Sequence, residues 1–213
     1  MRRMKFLDKL ASGCREALVK PKKSVLNPFA LLAIVLAVIH TLATAAPKDS
    51  DRVLELYRNK QYERACMEGS RVARDYKYDE TLLSAYGISC IESDFIDLAS
   101  FAGANLRATP ESRQNANYIL TVMFQKKLLY QAMLDGVDLG DTHLPETPHI
   151  LSRVFTAYAA GKYDKQKDGS LLLYMSGGET ALLDLIHEGG HFKVRIRPLD
   201  ATGALAGRAH LYW

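Results

Sequence analysis

Apolar side chains recur every three or four positions between residues 50 and 161, which is the spacing of helices that bury one face. Two helix starts are marked sharply, because Thr109-Pro110 and Thr147-Pro148 each place a capping threonine before a proline at the first helical position. The sequence therefore predicts one helix from Pro110 to about Asp135-Gly136 and another from Pro148 to Gly161. Shorter helices are predicted before these, with breaks at Lys60, Lys77 and Ser93-Asp94.

The spacing changes to alternate positions in the last part of the chain. Phe192, Val194 and Ile196 alternate with basic residues, as expected of a strand that buries one face. Glycine-containing turns separate this segment from its neighbours and favour an antiparallel meander. A helix over Thr180–Glu188, which is rich in leucine, is the alternative. The four predicted strands are Ser170–Met175, Thr180–His187, His191–Pro198 and Leu205–Tyr212.

Together the two patterns predict an α+β fold, in which helical hairpins are followed by a small C-terminal antiparallel β-meander. Because an isolated small sheet is only marginally stable in water, its buried face is expected to pack on the helices. The predicted boundaries are a basic segment at 1–27, a hydrophobic segment at 28–46, a helical repeat-like domain at 47–165 and the meander at 166–213.

The hydrophobic segment includes residues 29–46, a run of eighteen without a formal charge. At about 1.5 Å per residue, a helix of this length spans ~27 Å, enough for a thin hydrocarbon core. Residues 1–27 carry a formal charge of +6 and the rest of the chain −2, which predicts a cytoplasmic N-terminus and an exported C-terminal domain. We expect a single-pass signal-anchor that contacts lipid through residues 28–46, with the domain in the periplasm if the source is bacterial.

The same segment is also compatible with a cleaved signal peptide. Ala43-Thr44-Ala45, followed by Ala46, has the small residues that signal peptidase prefers. Cleavage after Ala45 would release a soluble exported domain, whereas an uncleaved segment would tether it to the membrane. The sequence leaves both possibilities open.

Composition and charge exclude two broad classes of protein. With 48% hydrophobic and 24% charged residues, the chain of 213 residues is too apolar to be disordered. The sequence pI of about 8.9 suggests nucleic-acid binding, but the excess positive charge lies in residues 1–27 and not on the folded part. We therefore expect no nucleic-acid partner.

Two short segments of the helical part have similar sequences and lie a fixed number of residues apart. Tyr62 and Phe95 are 33 residues apart, and Pro110 follows Phe95 by fifteen positions. Over Val53–Pro110 the chain resembles tetratricopeptide repeats, in which an aromatic residue opens the second helix of each pair. The resemblance implies helical hairpins with a protein-binding surface, and an irregular helical bundle is the alternative. The departures from the family pattern are Lys77, at a proline position, and Leu98, at a small-residue position.

One segment matches a catalytic motif literally. His187-Glu188-Gly189-Gly190-His191 is an H-E-x-x-H sequence, which in zinc peptidases places two imidazoles one turn apart on a helix. Each glycine disfavours a helix by about 1 kcal/mol, and the residues that follow alternate like a strand, so we predict a hairpin turn without metal. In the zinc alternative, His187 and His191 are ligands, Glu188 is the base, and Asp200 or His210 is the third ligand.

Acidic residues also crowd the connection after the helix predicted from Pro110. Their spacing does not match the twelve-residue calcium loop, so we interpret the segment as a solvated loop. The sequence predicts no cofactor. The acidic residues are Asp135, Asp138, Asp141 and Glu146.

The three cysteines differ in predicted compartment. Cys14 lies on the cytoplasmic side, where thiols stay reduced, whereas Cys66 and Cys90 lie in the exported part. If the helices on either side of Lys77-Tyr78 form an antiparallel hairpin, Cys66 and Cys90 lie within about 1.5 Å of the same height. The sequence therefore predicts a Cys66–Cys90 disulfide, and two buried free thiols are the alternative.

These patterns favour a non-enzymatic function. We expect an exported, membrane-tethered scaffold or adaptor that binds another envelope protein through its helices. One alternative is a zinc metallopeptidase that uses His187, Glu188 and His191. The other alternative is a carrier of small molecules or lipids, with its ligand in a cleft between the helices and the sheet.

Overall fold

A computed structural model describes residues 48–213, so the predicted basic and hydrophobic segments lie outside the described residues. Within residues 48–213, six α-helices precede five strands. The helices are α1 (Asp49–Arg58), α2 (Tyr62–Val72), α3 (Glu80–Glu92), α4 (Ser100–Asn105), α5 (Pro110–Asp135) and α6 (Ile150–Ala159), and a 3₁₀ turn at Ile96–Ala99 leads into α4. The strands are β1 (Tyr163–Lys165), β2 (Leu171–Tyr174), β3 (Thr180–Glu188), β4 (His191–Leu199) and β5 (His210–Tyr212).

The long helix α5 has the ends that its sequence predicts. The Thr109 hydroxyl accepts a hydrogen bond from the Ser112 backbone N–H at 3.0 Å, and the Ser112 hydroxyl accepts one from the Thr109 N–H at 2.9 Å. This reciprocal pair is a capping box, and Pro110 follows it at the first helical position. Gly136, with φ of 71°, ends the helix in the left-handed conformation that glycine adopts at low cost.

The start of α6 differs from the prediction. The helix begins at Ile150 and not at Pro148, and His149 is its N-cap. Nδ1 of His149 accepts a hydrogen bond from the Leu151 N–H at 3.3 Å, whereas the N–H of Thr147 donates to the Ser152 hydroxyl at 2.8 Å. Thr147 therefore does not cap the helix, because an imidazole nitrogen takes the role that the sequence pattern gave to a hydroxyl.

Helices α2 and α3 approach each other closely and carry the predicted cysteine pair. The Sγ atoms of Cys66 and Cys90 lie 2.06 Å apart and their Cα atoms 4.8 Å apart, so the two residues form a disulfide. Gly69 makes the approach possible, since a Cβ atom at this position would lie 2.5 Å from the Tyr86 ring. Both cysteines are fully buried.

The five strands form one antiparallel sheet in the order β1-β2-β3-β4-β5. Thr180–Glu188 is a strand along its whole length, so the alternative of a helix there is wrong. The edge strand β1 was not predicted, and the predicted last strand shortens to His210–Tyr212. The face that packs on the helices is made by Leu173, Ala181, Leu183, Val194, Ile196 and Tyr212.

Helices and sheet share one hydrophobic core. It runs from Cys66 in α2 through Ile119 and Leu129 of α5 to Phe155 of α6 and Tyr212 of β5. The predicted α+β class and the packing of the sheet on the helices are therefore confirmed. No helix within residues 48–213 is both long enough and apolar enough to cross a membrane.

Candidate functional site

The H-E-x-x-H segment forms the hairpin between β3 and β4. Glu188 pairs with His191 across the strands, and His187 pairs with Phe192. Because neighbouring residues of a strand point to opposite faces, the imidazoles of His187 and His191 lie on opposite faces of the sheet. The turn uses Gly189 and Gly190, whose φ values are 62° and 80°. The helical geometry of a zinc peptidase is therefore not formed.

The other candidate metal ligands are engaged separately. Asp200 caps its own turn, where Oδ1 accepts hydrogen bonds from the N–H groups of Thr202 at 2.8 Å and Ala204 at 3.0 Å. His210 lies in β5 and contacts Asp94. In the part of the chain that the structure describes, no group of three or more His, Cys, Asp or Glu residues is arranged to hold a metal ion.

The acidic connection after α5 is held by local hydrogen bonds. Oδ1 of Asp138 accepts one from the Gly140 N–H at 2.9 Å, and Glu146 accepts one from the Ser176 hydroxyl at 2.7 Å. Glu146 therefore ties this connection to the turn before β3.

Helices α1, α3 and the first turns of α5 line an open groove of about 450 Å³. Leu54 and Tyr57 from α1 and Ala85 and Ile88 from α3 give it apolar surface. The polar side chains at the groove are Arg58, Glu80, Thr81, Ser84, Thr109, Glu111, Ser112 and Asn115. The groove therefore offers both apolar contact and hydrogen-bonding groups along three helices.

Glu80 fixes the shape of this groove by joining α3 to the start of α5. Its Oε1 accepts hydrogen bonds from the N–H groups of Arg107 at 2.8 Å and Ala108 at 2.7 Å. Its Oε2 accepts one from the Ser112 hydroxyl. These bonds, led by the one from Ser112, lower the pKa of Glu80 to about 2. The carboxylate is thus ionised at neutral pH and is used for positioning.

Tyr57 lies where α1, α3 and α5 come together. Partial burial, and then the neighbouring Tyr62, Glu92 and Glu111, raise the pKa of its hydroxyl. The phenol is therefore neutral at physiological pH and is available as a hydrogen-bond donor beside the carboxylates.

A second constellation lies around Asp94, directly after the C-cap of α3. The Tyr212 hydroxyl donates a hydrogen bond to Oδ1 at 2.6 Å, and Nδ1 of His210 lies 2.9 Å from Oδ2. Nη2 of Arg208 lies 2.8 Å from Oδ2. Burial opposes ionisation of Asp94, but the hydrogen bonds from His210 and Tyr212 outweigh it and lower its pKa.

His149 completes this constellation from the start of α6. Its Nε2 lies 3.2 Å from the Ile91 carbonyl oxygen and 3.9 Å from Oδ1 of Asp94. Because Nδ1 accepts from a backbone N–H, Nε2 carries the proton and donates to Ile91. Burial lowers the pKa of His149 to about 4, so the ring is neutral at physiological pH.

No protein-family model, curated protein or solved structure is significantly similar to this chain.

Proposed function

We propose that the protein is a non-enzymatic adaptor that binds a segment of another protein in the groove of α1, α3 and α5. The observation that carries the proposal is that α1, α3 and the first turns of α5 line one groove. A surface built from several helices contacts an extended partner over a long path, as the concave surfaces of helical repeat proteins do. We further propose that residues 28–46 tether the adaptor to the membrane, with the groove on the exported side.

The packing of the helices supports a repeat-like interpretation. Helices α1, α3 and α5 begin at residues 49, 80 and 110, and α3 contacts both of the others. Helix α2 packs on α1 and α3, and α4 packs on α3 and α5. Tyr62 is the first residue of α2, and Phe95 precedes the turn into α4, as the resemblance to tetratricopeptide repeats implies. We therefore interpret residues 49–135 as hairpins stacked in register, with their first helices on one side.

The chemistry of the groove supports a peptide as the ligand. The apolar side chains Leu54 and Ile88 can take one or two side chains of a partner, while Asn115 and Tyr57 can bond to its backbone. The groove is open along one side, which suits a chain that continues beyond it.

Site-specific photocrosslinking tests this proposal. A photoreactive amino acid at Ser84, in the groove, is expected to capture a discrete protein partner in membranes of cells that naturally express the chain. The matched control is Asn117, which is exposed on α5 but lines a different surface beside Leu120 and Phe124. We expect a crosslinked band from position 84 and none from position 117.

A blocking substitution supplies a second test. Ser84→Arg fills the groove, and it is expected to abolish crosslinking from a probe at Asn115, whereas Asn117→Arg is expected to leave it unchanged. Crosslinking from position 117 alone would show that the partner binds the surface around Phe124 and not the groove. Equal labelling at both positions, or unchanged labelling in Ser84→Arg, would refute a groove ligand.

A further inference from the structure

Helix α5 carries an apolar surface that is largely uncovered within residues 48–213. Leu120 and Phe124 lie one turn apart on this helix and are 42% and 53% exposed. Met123, Leu144 and Pro145 add further apolar surface, and together these side chains form an open depression of about 660 Å³, which we call the Phe124 face. Contiguous exposed apolar surface of this kind marks a place of contact with a partner or a membrane.

The charged side chains around the Phe124 face are mainly basic. None of the residues that line it is acidic. Residues 112–134 contain three basic residues and no acidic one, because the two acidic residues of α5, Glu111 and Asp135, lie at its ends. Spacings of four and three positions place two of the basic residues on the same side of the helix as the apolar pair. The resulting exposed stripe consists of Arg113, Asn117, Leu120, Phe124 and Lys127.

The two basic side chains of this stripe keep positive charge available. The Arg113 guanidinium donates to two backbone carbonyl oxygens, at 2.9 Å and 3.0 Å, and pairs with no carboxylate within residues 48–213. Nζ of Lys127 lies 3.3 Å from Oδ1 of Asp97, whose Oδ2 is bound by the buried Lys126. One carboxylate thus faces two ammonium groups. Glu146, in the connection after α5, accepts a hydrogen bond at 2.7 Å from a hydroxyl in the turn before β3. Net positive charge therefore remains beside the Phe124 face.

The length of chain between the hydrophobic segment and α1 limits how far the folded part can lie from lipid. Helix α1 begins at Asp49, three residues after Ala46, the last residue of the uncharged run. Three residues of extended chain span only about 10 Å. If residues 28–46 cross the membrane, as proposed above, the folded part is therefore held at a high effective concentration of lipid.

We propose that the Phe124 face lies on an anionic lipid surface. Leu120 and Phe124 enter the boundary between head groups and acyl chains, and Arg113 and Lys127 contact lipid phosphates. Helices that lie in the membrane interface combine an apolar stripe with basic side chains, whose stems rest on apolar surface while their charges reach the head groups. A second copy of the chain would set one basic surface against another, so charge favours lipid over self-association. The inference rests on the membrane tether of the proposed function and not on the groove of α1, α3 and α5.

Fluorescence quenching in vesicles tests this inference. The full-length chain with Cys14→Ser, kept without reductant, carries one NBD label at Asn117→Cys and is reconstituted into vesicles of phosphatidylcholine and phosphatidylglycerol. We expect lipids with a doxyl group near the head group to quench this label at least about threefold more than a label at Ala201→Cys, which is exposed in the turn after β4. In vesicles of phosphatidylcholine alone, quenching at position 117 should fall by at least about twofold.

Matched variants locate the contact. Phe124→Glu places a negative charge on the face, and it is expected to lower quenching at position 117 to the level at position 201. The control is Leu205→Glu, since Leu205 is 52% exposed, like Phe124, but lies between β4 and β5. Circular dichroism checks that each variant is folded. Unchanged quenching in Phe124→Glu, or an equal loss in Leu205→Glu, would count against the Phe124 face.

Flotation of the same vesicles separates this inference from the tether on which it rests. A chain that floats with the vesicles while positions 117 and 201 are quenched equally would keep the tether and overturn lipid contact at the Phe124 face. A chain that does not float would overturn both. Self-quenching at position 117 that depends on protein density, without an effect of doxyl lipid, would show that a second copy covers the face instead. Equal quenching with and without phosphatidylglycerol would overturn the preference for anionic lipid.

Discussion

At the scale of single residues, Asp94 organises the largest set of polar contacts at the junction of helices and sheet. It has φ of 68°, a left-handed conformation that aspartate tolerates better than most residues. This conformation ends α3 and turns the carboxylate toward Arg208, His210 and Tyr212 of the C-terminal segment. One acidic side chain therefore joins the end of a helix to the last strand.

His149 makes the stability of the fold depend on pH in a predictable direction. Its pKa is lowered by burial from 6.5 to about 4, so the folded state favours the neutral ring. Below pH 6.5 the unfolded chain takes up a proton that the folded chain takes up only near pH 4. The contribution of His149 is thus present at neutral pH and is lost as the pH falls through this window. We expect the burial of His149 to lower the free energy of unfolding by about 2 kcal/mol between pH 7 and pH 4.5.

Denaturant unfolding of the wild type and of His149→Asn at these two pH values measures this effect. Asparagine can still cap α6, but it does not titrate, so the variant should lose less stability on acidification. His143→Asn is the control, because His143 is exposed in the loop before α6 and its replacement should keep the wild-type pH dependence. An equal acid sensitivity in wild type and His149→Asn would contradict the assignment.

At the scale of elements, the disulfide joins α2 to α3 across a sequence separation of 24 residues. Closing a loop of this size restricts the unfolded chain and stabilises the fold by about 3 kcal/mol in the chain-entropy model. We expect Cys66→Ser/Cys90→Ser to lower the free energy of unfolding by about this amount, whereas Cys14→Ser should leave it unchanged. Denaturant unfolding of the full-length chain without reductant gives both values.

Thiol counting provides an independent check on the same bond. The denatured, unreduced full-length chain should contain one reactive thiol, from Cys14, and three after reduction. Three thiols before reduction would show that Cys66 and Cys90 are not bonded in the isolated protein.

Elements with local signals could be predicted from the sequence, and those that depend on distant partners could not. The capping threonine, the proline and Gly136 define α5 within its own residues. Strand β1 has no comparable signal, because all three of its residues are exposed and the strand exists by pairing with β2. The predicted start of α6 at Pro148 is wrong because histidine is an uncommon N-cap. The burial of His149 also depends on a distant partner, the end of α3.

At the scale of the whole molecule, the candidate sites arise where distant parts of the chain meet. The repeat-like offset of Tyr62 and Phe95 predicts helical hairpins with a protein-binding surface, but it does not locate the groove that α1, α3 and α5 line. The sequence does not predict the constellation of Asp94, His149 and His210. These residues are far apart in sequence and belong to the end of α3, the start of α6 and β5. No local pattern marks them, and only the packing of the sheet on the helices brings them together.

The charges on either side of residues 29–46 predict on which side of a membrane residues 48–213 lie. Residues 1–27 carry a formal charge of +6 before the uncharged run at 29–46, and the rest of the chain carries −2. This charge step should keep the N-terminus in the cytoplasm and export residues 48–213, where the Cys66–Cys90 bond can form. A phosphatase that is active only after export, fused to Trp213, should therefore be active, and a cytoplasmic reporter at the same position should be silent. Deleting residues 29–46 should silence the phosphatase fusion. An active cytoplasmic reporter on the full-length chain would reverse the predicted topology.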